Sequence, residues 1–121
     1  MFTRGNRMDL KELQEKIKEH GNRFKNKGDD MNSFLPNHVS FPFFKTVEEL
    51  GEVSDLLVRK HGFQRKGKEI SDEEFKDKLG EELIDVITTL VHLANFSDID
   101  LSEAFSKKLT KMDKRWDNKE Y

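Results

Sequence analysis

The chain predicts an all-α protein, most simply a four-helix bundle, and three observations carry that reading. Apolar residues recur at helical spacing in separate segments, residue types that cap helix starts stand just before several of them, and no stretch alternates as a strand would. From Asp9 to about Lys25, Leu10, Leu13, Ile17 and Phe24 form one apolar stripe, and Asp9 suits an N-cap. Residues Asn26 to Pro42 contain Gly28, Asn32, Pro36, Asn37 and Pro42, a composition that predicts a long loop. Phe34, Phe41, Phe43 and Phe44 crowd this loop, forming either a hydrophobic plug beneath it, the favoured reading, or a stacking surface for a planar ring.

A second helix is expected from about Lys45 to His61, with Gly62 as its C-terminal cap. Phe63 to Ile70 reads as a basic connection. Ser71 followed by Glu74 has the form of a capping box and opens a third helix reaching about Asn95. Gly80 lies inside it and costs about 1 kcal/mol relative to Ala, which invites a kink or break before Glu81. Asp100 with Glu103 repeats the start signal for a fourth helix, ending near Trp116.

At 121 residues the chain suits one domain, with Met1 to Arg7 as an N-terminal extension and residues 8–121 as the folded unit. A hydrophobic content of 34% is low for a monomer, so a second copy of the chain is expected to complete part of the apolar surface. The formal net charge of -2 gives no electrostatic reason to bind nucleic acid or an anionic membrane. Without cysteine there is no disulfide, thiolate zinc site or cysteine nucleophile. No apolar run approaches the roughly 20 residues that cross a bilayer, and the first residues lack a hydrophobic signal segment. A cytoplasmic location is the expectation.

The chemistry concentrates in two acidic clusters, Glu48-Glu49-Leu50-Gly51-Glu52 and Glu81-Glu82-Leu83-Ile84-Asp85. At about 100° per residue, Glu49 and Glu52 project about 60° apart, and Glu82 and Asp85 repeat that offset. On a helical wheel both Glu49 and Glu82 fall at the margin of an apolar arc. A carboxylate there must find a compensating charge or take up a proton. Solvated glutamates are the plainer explanation in a chain with 38% charged residues, and Lys45 and Lys78, one turn before Glu49 and Glu82, are local partners for them. If the helix begins at Thr46, Glu49 could also close a capping box with it. Neither explanation reaches Glu52 or Asp85, and neither accounts for the repetition of the pattern.

If the second and third helices pack antiparallel, the two pairs converge on one cluster carrying about four negative charges. All-oxygen ligation selects Mg²⁺, Mn²⁺ or Ca²⁺, and Mg²⁺ usually completes its shell with water and substrate phosphates. A phosphate compound is the inferred substrate, attacked by a metal-held or carboxylate-activated water. Glu48 and Glu81 lie about 40° beyond the distal acid of each pair, and Glu48 is the better candidate for the base. His92 shares the stripe of Asp85 but reads as a hydrogen-bonded structural residue. The basic run Lys107, Lys108, Lys111, Lys114 and Arg115 reads as a solvated face that could also reach phosphates.

Lys45-Thr-Val-Glu-Glu-Leu-Gly-Glu52 followed by Glu81-Glu-Leu-Ile-Asp-Val86 resembles the MazG-like all-α nucleoside triphosphate pyrophosphohydrolases, whose signature is an E-E-x-x-E helix and a later E-x-x-D helix. The resemblance runs over most of the chain from about Met8. It implies a MazG-type fold and Mg²⁺-dependent cleavage between the α- and β-phosphates of a nucleoside triphosphate, with Mn²⁺ as an alternative ion. It also implies Glu49, Glu52, Glu82 and Asp85 as metal ligands, Lys45, Lys108 and Arg115 as phosphate-facing cations, and a homodimer or dimer of dimers. Two departures stand out: a long spacer between the motifs, and Met112 where an asparagine is common in the C-terminal K-x-x-x-N-x-x-R pattern. A competing class is a non-catalytic helical oligomer whose acids bind a structural or regulatory cation. A di-iron bundle is disfavoured because E-x-x-H pairs are missing.

Overall fold

The computed structural model describes residues 7–26, 40–62 and 69–120. They form α1 (Leu10–Asn26), α2 (Ser40–Lys60), α3 (Asp72–Phe96) and α4 (Leu101–Asp117), and no strand occurs among them. The capping signals act where the sequence places them. Asp9 Oδ1 accepts the Glu12 N–H at 2.8 Å, Ser71 Oγ that of Glu74 at 3.2 Å, and Asp100 Oδ1 that of Glu103 at 3.2 Å. Each bond satisfies one of the amide donors that a helix start leaves without an intrahelical acceptor. Gly62 ends α2 at φ 74°, the left-handed conformation glycine adopts without a Cβ penalty, and its N–H reaches the Arg59 carbonyl at 3.3 Å.

α2 starts earlier than expected, at Ser40, so Phe41 and Pro42 belong to a helix and not to a loop. Pro42 is tolerated because it falls in the first turn, where its missing N–H would have had no acceptor. The earlier start also removes the capping box at Thr46, which now lies inside α2. The plug reading of the aromatic cluster fails for Phe43 and Phe44, which are 53% and 59% exposed and meet edge to face with centroids 5.9 Å apart. Pro42, beside them in sequence, is fully buried. Phe34 and the rest of that predicted loop lie outside the described residues. Gly80 introduces no break, since α3 runs continuously past it.

The principal interface joins α2 to α3, α1 packs across α3, and α4 rests on α1. Ile17, Leu56, Ile70, Val91 and Ala94 are the buried apolar residues, and Val91 is only 2% exposed. Thr46, 7% exposed, is the buried polar side chain among the described residues. Its hydroxyl lies 2.8 Å from the Pro42 carbonyl and 2.9 Å from the Thr89 hydroxyl, which in turn lies 2.8 Å from the Val86 carbonyl. At the other end Gln14 ties α1 to the α3–α4 turn. Its Nε2 donates to Asn95 Oδ1 at 2.9 Å and to the Ile99 carbonyl at 2.7 Å, while its Oε1 accepts the Leu101 N–H at 3.0 Å.

Much of the apolar surface stays open. Leu50 on α2, Leu83, Ile84 and Leu90 on α3, and Phe105, Leu109 and Met112 on α4 are all about half exposed or more accessible than 40%. α4 buries no residue at all. Contiguous exposed apolar area on this scale marks an interaction surface in a soluble protein. No helix of the described residues is long and apolar enough to cross a membrane.

Candidate metal centre

The antiparallel packing of α2 on α3 brings Glu49, Glu82 and Asp85 together, with one carboxylate oxygen from each lying within 4.8 Å of the others. Glu49 and Glu82 are half-buried at the helix seam, whereas Asp85 is exposed at its rim. The geometry follows from local sequence: Glu82 and Asp85 share a face of α3 through their i, i+3 spacing, and Glu49 projects from the edge of the α2 apolar stripe onto that face. Glu52, the fourth expected ligand, stands outside this trio. Its charge nonetheless reaches Glu82.

Glu82 is the most strained acid of the site. Its Oε2 is closed off from solvent and meets no hydrogen-bond partner among the described residues. Burial is the leading cause that lifts its carboxyl above the ordinary glutamate value of 4.5, followed by the charges of Asp85, Glu49 and Glu52. A buried oxygen without a donor costs free energy, and three converging carboxylates repel one another. A hard divalent cation answers both deficits, so the residues present fit such an ion. Among the described residues no lysine or arginine forms an ion pair with any of the three, although the Lys45 charge acts on Glu49.

The local lysines, which the plainer explanation needed, are engaged elsewhere. Lys45 Nζ binds Glu48 Oε2 at 2.9 Å, and that hydrogen bond is the leading cause raising the Lys45 ammonium above its usual value. Lys78 Nζ pairs backward with Glu74 at 3.1 Å and not forward with Glu82. The helical preference for an acid preceding its base in i, i+4 pairs accounts for Lys78. Glu48, the expected base, is therefore held by Lys45 and lies outside the trio. Glu81 is exposed. His92 turns toward α1, where a Cβ on Gly21 would lie 3.4 Å from its Cε1, and burial, then the nearby His20, hold its imidazole below the usual value. It takes no part in the acid trio.

Lys108 and Arg115 are on α4, which packs on α1 and makes no substantial contact with α2. Lys107, next to them, is paired with Glu103 at 2.8 Å. Sequence reasoning overlooked the Thr46–Thr89 contact beside the trio. Its signal was present, since Thr46 precedes Glu49 by three residues and Thr89 follows Asp85 by four.

Helices that gather carboxylates with an orphaned buried oxygen define an all-α protein with a candidate divalent-cation centre. The description "MazG nucleotide pyrophosphohydrolase domain" matches residues 44–119, more than half of the chain, and the chain belongs to that family. It is accordingly a hydrolase of the class that acts on phosphorus anhydrides in nucleotides. The match spans both acidic motifs and all of α4. No curated protein and no solved structure matches the chain.

Proposed function

We propose that the protein is a Mg²⁺-dependent nucleoside triphosphate pyrophosphohydrolase that cleaves the α–β phosphate bond to release a nucleoside monophosphate and pyrophosphate. The observation that carries this reading is the convergence of Glu49, Glu82 and Asp85 around an oxygen that has no donor. Mn²⁺ would satisfy the same oxygens. When bound, the ion neutralises the charge that develops on the phosphate oxygens and orients the polyphosphate.

The chain's own side chains do the rest. Glu49, Glu82 and Asp85 would hold the ion, and Glu52 would add its negative charge to their field. Glu48, oriented by Lys45 and adjacent to Glu49, takes the proton from the attacking water. That water forms a bond to phosphorus as the bond to the bridging oxygen breaks, and the leaving pyrophosphate carries away the electron pair. Lys45 lies next to the site and meets the phosphates. Lys108 and Arg115 meet them from a second copy of the chain.

A homodimer, or a dimer of dimers, supports that last role. The open apolar faces of α2, α3 and α4 need cover, and α4 carries both an apolar stripe and the cations that the acid site lacks. A cytoplasmic setting suits a cysteine-free chain acting on nucleotides.

The test is pyrophosphate release from a panel of ribo- and deoxyribonucleoside triphosphates with Mg²⁺. Turnover of at least one nucleotide, abolished by chelation, is expected. Failure to turn over any of them, with normal cation binding, would leave the non-catalytic oligomer as the better account.

A further inference from the structure

We propose that the Thr46 and Thr89 hydroxyls set the axial register of α2 on α3 and so act as positioning residues for the cation site; the inference rests on the reading of Glu49, Glu82 and Asp85 as its ligands. Thr46, Glu49 and Val53 fall on one α2 stripe, and Glu82, Asp85 and Thr89 fall on one α3 stripe, each at i, i+3, i+7 spacing. The hydroxyl pair and the acid trio are therefore neighbouring rungs of one seam. The two hydroxyls lie 2.9 Å apart, and Thr46 is 7% exposed.

Elsewhere α2 and α3 are joined by Lys60, which pairs with Asp72 and stands over the Phe75 ring at the start of α3, and by apolar packing, with Leu56 buried on α2. Apolar burial is non-directional and tolerates sliding. A hydrogen bond weakens steeply once its length and angle depart from their narrow range. Sliding one helix by a single turn moves it about 5.4 Å, more than enough to pull Glu49 out of the trio. The backbone also braces the pair. Thr46 lies within 2.8 Å of the Pro42 carbonyl and Thr89 within 2.8 Å of the Val86 carbonyl, contacts that fix each χ1 and aim the hydroxyls across the seam. Two hydroxyl protons make two of these three contacts hydrogen bonds at a time: one proton bridges the two threonines and the other goes to either the Pro42 or the Val86 carbonyl, so a shift at either helix is felt at the other.

The experiment compares Mn²⁺ affinity, read by electron paramagnetic resonance, with melting temperature in the full chain. The key variant is Thr46→Val with Thr89→Val. Replacing both partners by apolar groups of the same shape leaves no orphaned hydroxyl and is nearly neutral for stability. We expect the double variant to melt like wild type and to bind Mn²⁺ about tenfold or more weakly, the scale seen when groups that orient metal ligands are removed. Thr46→Ser with Thr89→Ser keeps both hydroxyls and should retain wild-type affinity. Wild-type affinity in the double valine variant overturns the proposal, as does an equal loss in the double serine variant. Glu82→Gln is measured alongside. If it too binds Mn²⁺ like wild type, the cation site itself is misassigned, an outcome distinct from failure of the register role.

Discussion

The α2–α3 hairpin and α4 are both amphipathic, yet they treat their apolar faces differently. The hairpin buries Leu56 on α2 and Val91 on α3, ties the helices with a threonine pair and sets three carboxylates together. α4 presents Phe105, Leu109 and Met112 on an open stripe, with Trp116 70% exposed beyond them, and buries nothing. One element holds unbalanced negative charge, and the other holds cations and unburied apolar area. Each lacks what the other has, although the chain does not fold α4 onto the hairpin. The difference teaches that the carboxylate trio is built within one chain, whereas the proposed function draws its cationic complement from a second copy.

The sharpest way to break the comparison is at Glu82. Glu82→Gln keeps the shape of the side chain and removes its charge, and at several kcal/mol of lost charge stabilisation turnover should fall by roughly 10³-fold, read by pyrophosphate release. The apo protein should respond in the opposite sense. Because Glu82 is held above 4.5 by burial and its acidic neighbours, the fold prefers its protonated form. That preference stabilises the fold fully below the ordinary value and is lost as the pH rises through the elevated one. Metal-free Glu82→Gln should therefore melt above metal-free wild type at pH 8, and the gap should close as the pH is lowered below about 4. Added Mg²⁺ should raise the melting temperature of wild type alone.

A charge placed on the α4 stripe tests the other half. On the proposed homodimer, Leu109→Glu with Met112→Glu should give a monomer by sedimentation velocity and lower turnover about 10²-fold, as substrate-positioning cations are lost. Mn²⁺ affinity per chain should not change. Loss of Mn²⁺ binding in that variant would mean that the carboxylate trio itself depends on the second copy.

These two regions also differ in how far they were legible in the sequence. The hairpin was read nearly in full: Ser71 with Glu74 and Gly62 mark its helix ends, and i, i+3 acid pairs place carboxylates on one face whatever the surroundings. Its upstream end was misread because Pro42 signals a break only in a helix interior, and sequence alone does not say that Ser40 starts the helix. Rotamer choices were also beyond reach, which is why Lys45, set against Glu49, gives its hydrogen bond to Glu48 and reaches Glu49 through its charge alone. For α4 the sequence located the helix and its apolar stripe. It could not show that the chain leaves that stripe uncovered, because periodicity records a buried face without recording whose chain buries it.

A smaller effect isolates the joint between the regions. Gln14 makes the bonds that tie α1 to Asn95, Ile99 and Leu101 where α3 turns into α4. Gln14→Ala removes its amide and leaves partly buried partners unsatisfied, a loss of about 2 kcal/mol in unfolding free energy. Chemical denaturation should report it. Mn²⁺ affinity should stay at the wild-type level, because the joint lies at the far end of α3 from the acid trio.

The smallest expected effect probes the outer face of the hairpin. A Cβ built at Gly80 meets nothing within 4 Å, and α3 passes through the residue without a break. Gly80→Ala should then raise stability by about 1 kcal/mol, the helical advantage of alanine over glycine, measured by urea denaturation. Gly62→Ala gives the contrasting sign, since a left-handed φ of 74° is strained for any residue with a Cβ. The Gly80 substitution further maps the interface. Exposed Leu83 and Ile84 lie within a turn of it on α3, so a second copy seated against that turn would crowd the added methyl. Stabilisation at every protein concentration keeps the interface on the faces away from Gly80, whereas destabilisation that grows as the oligomer forms would put the partner's backbone against it.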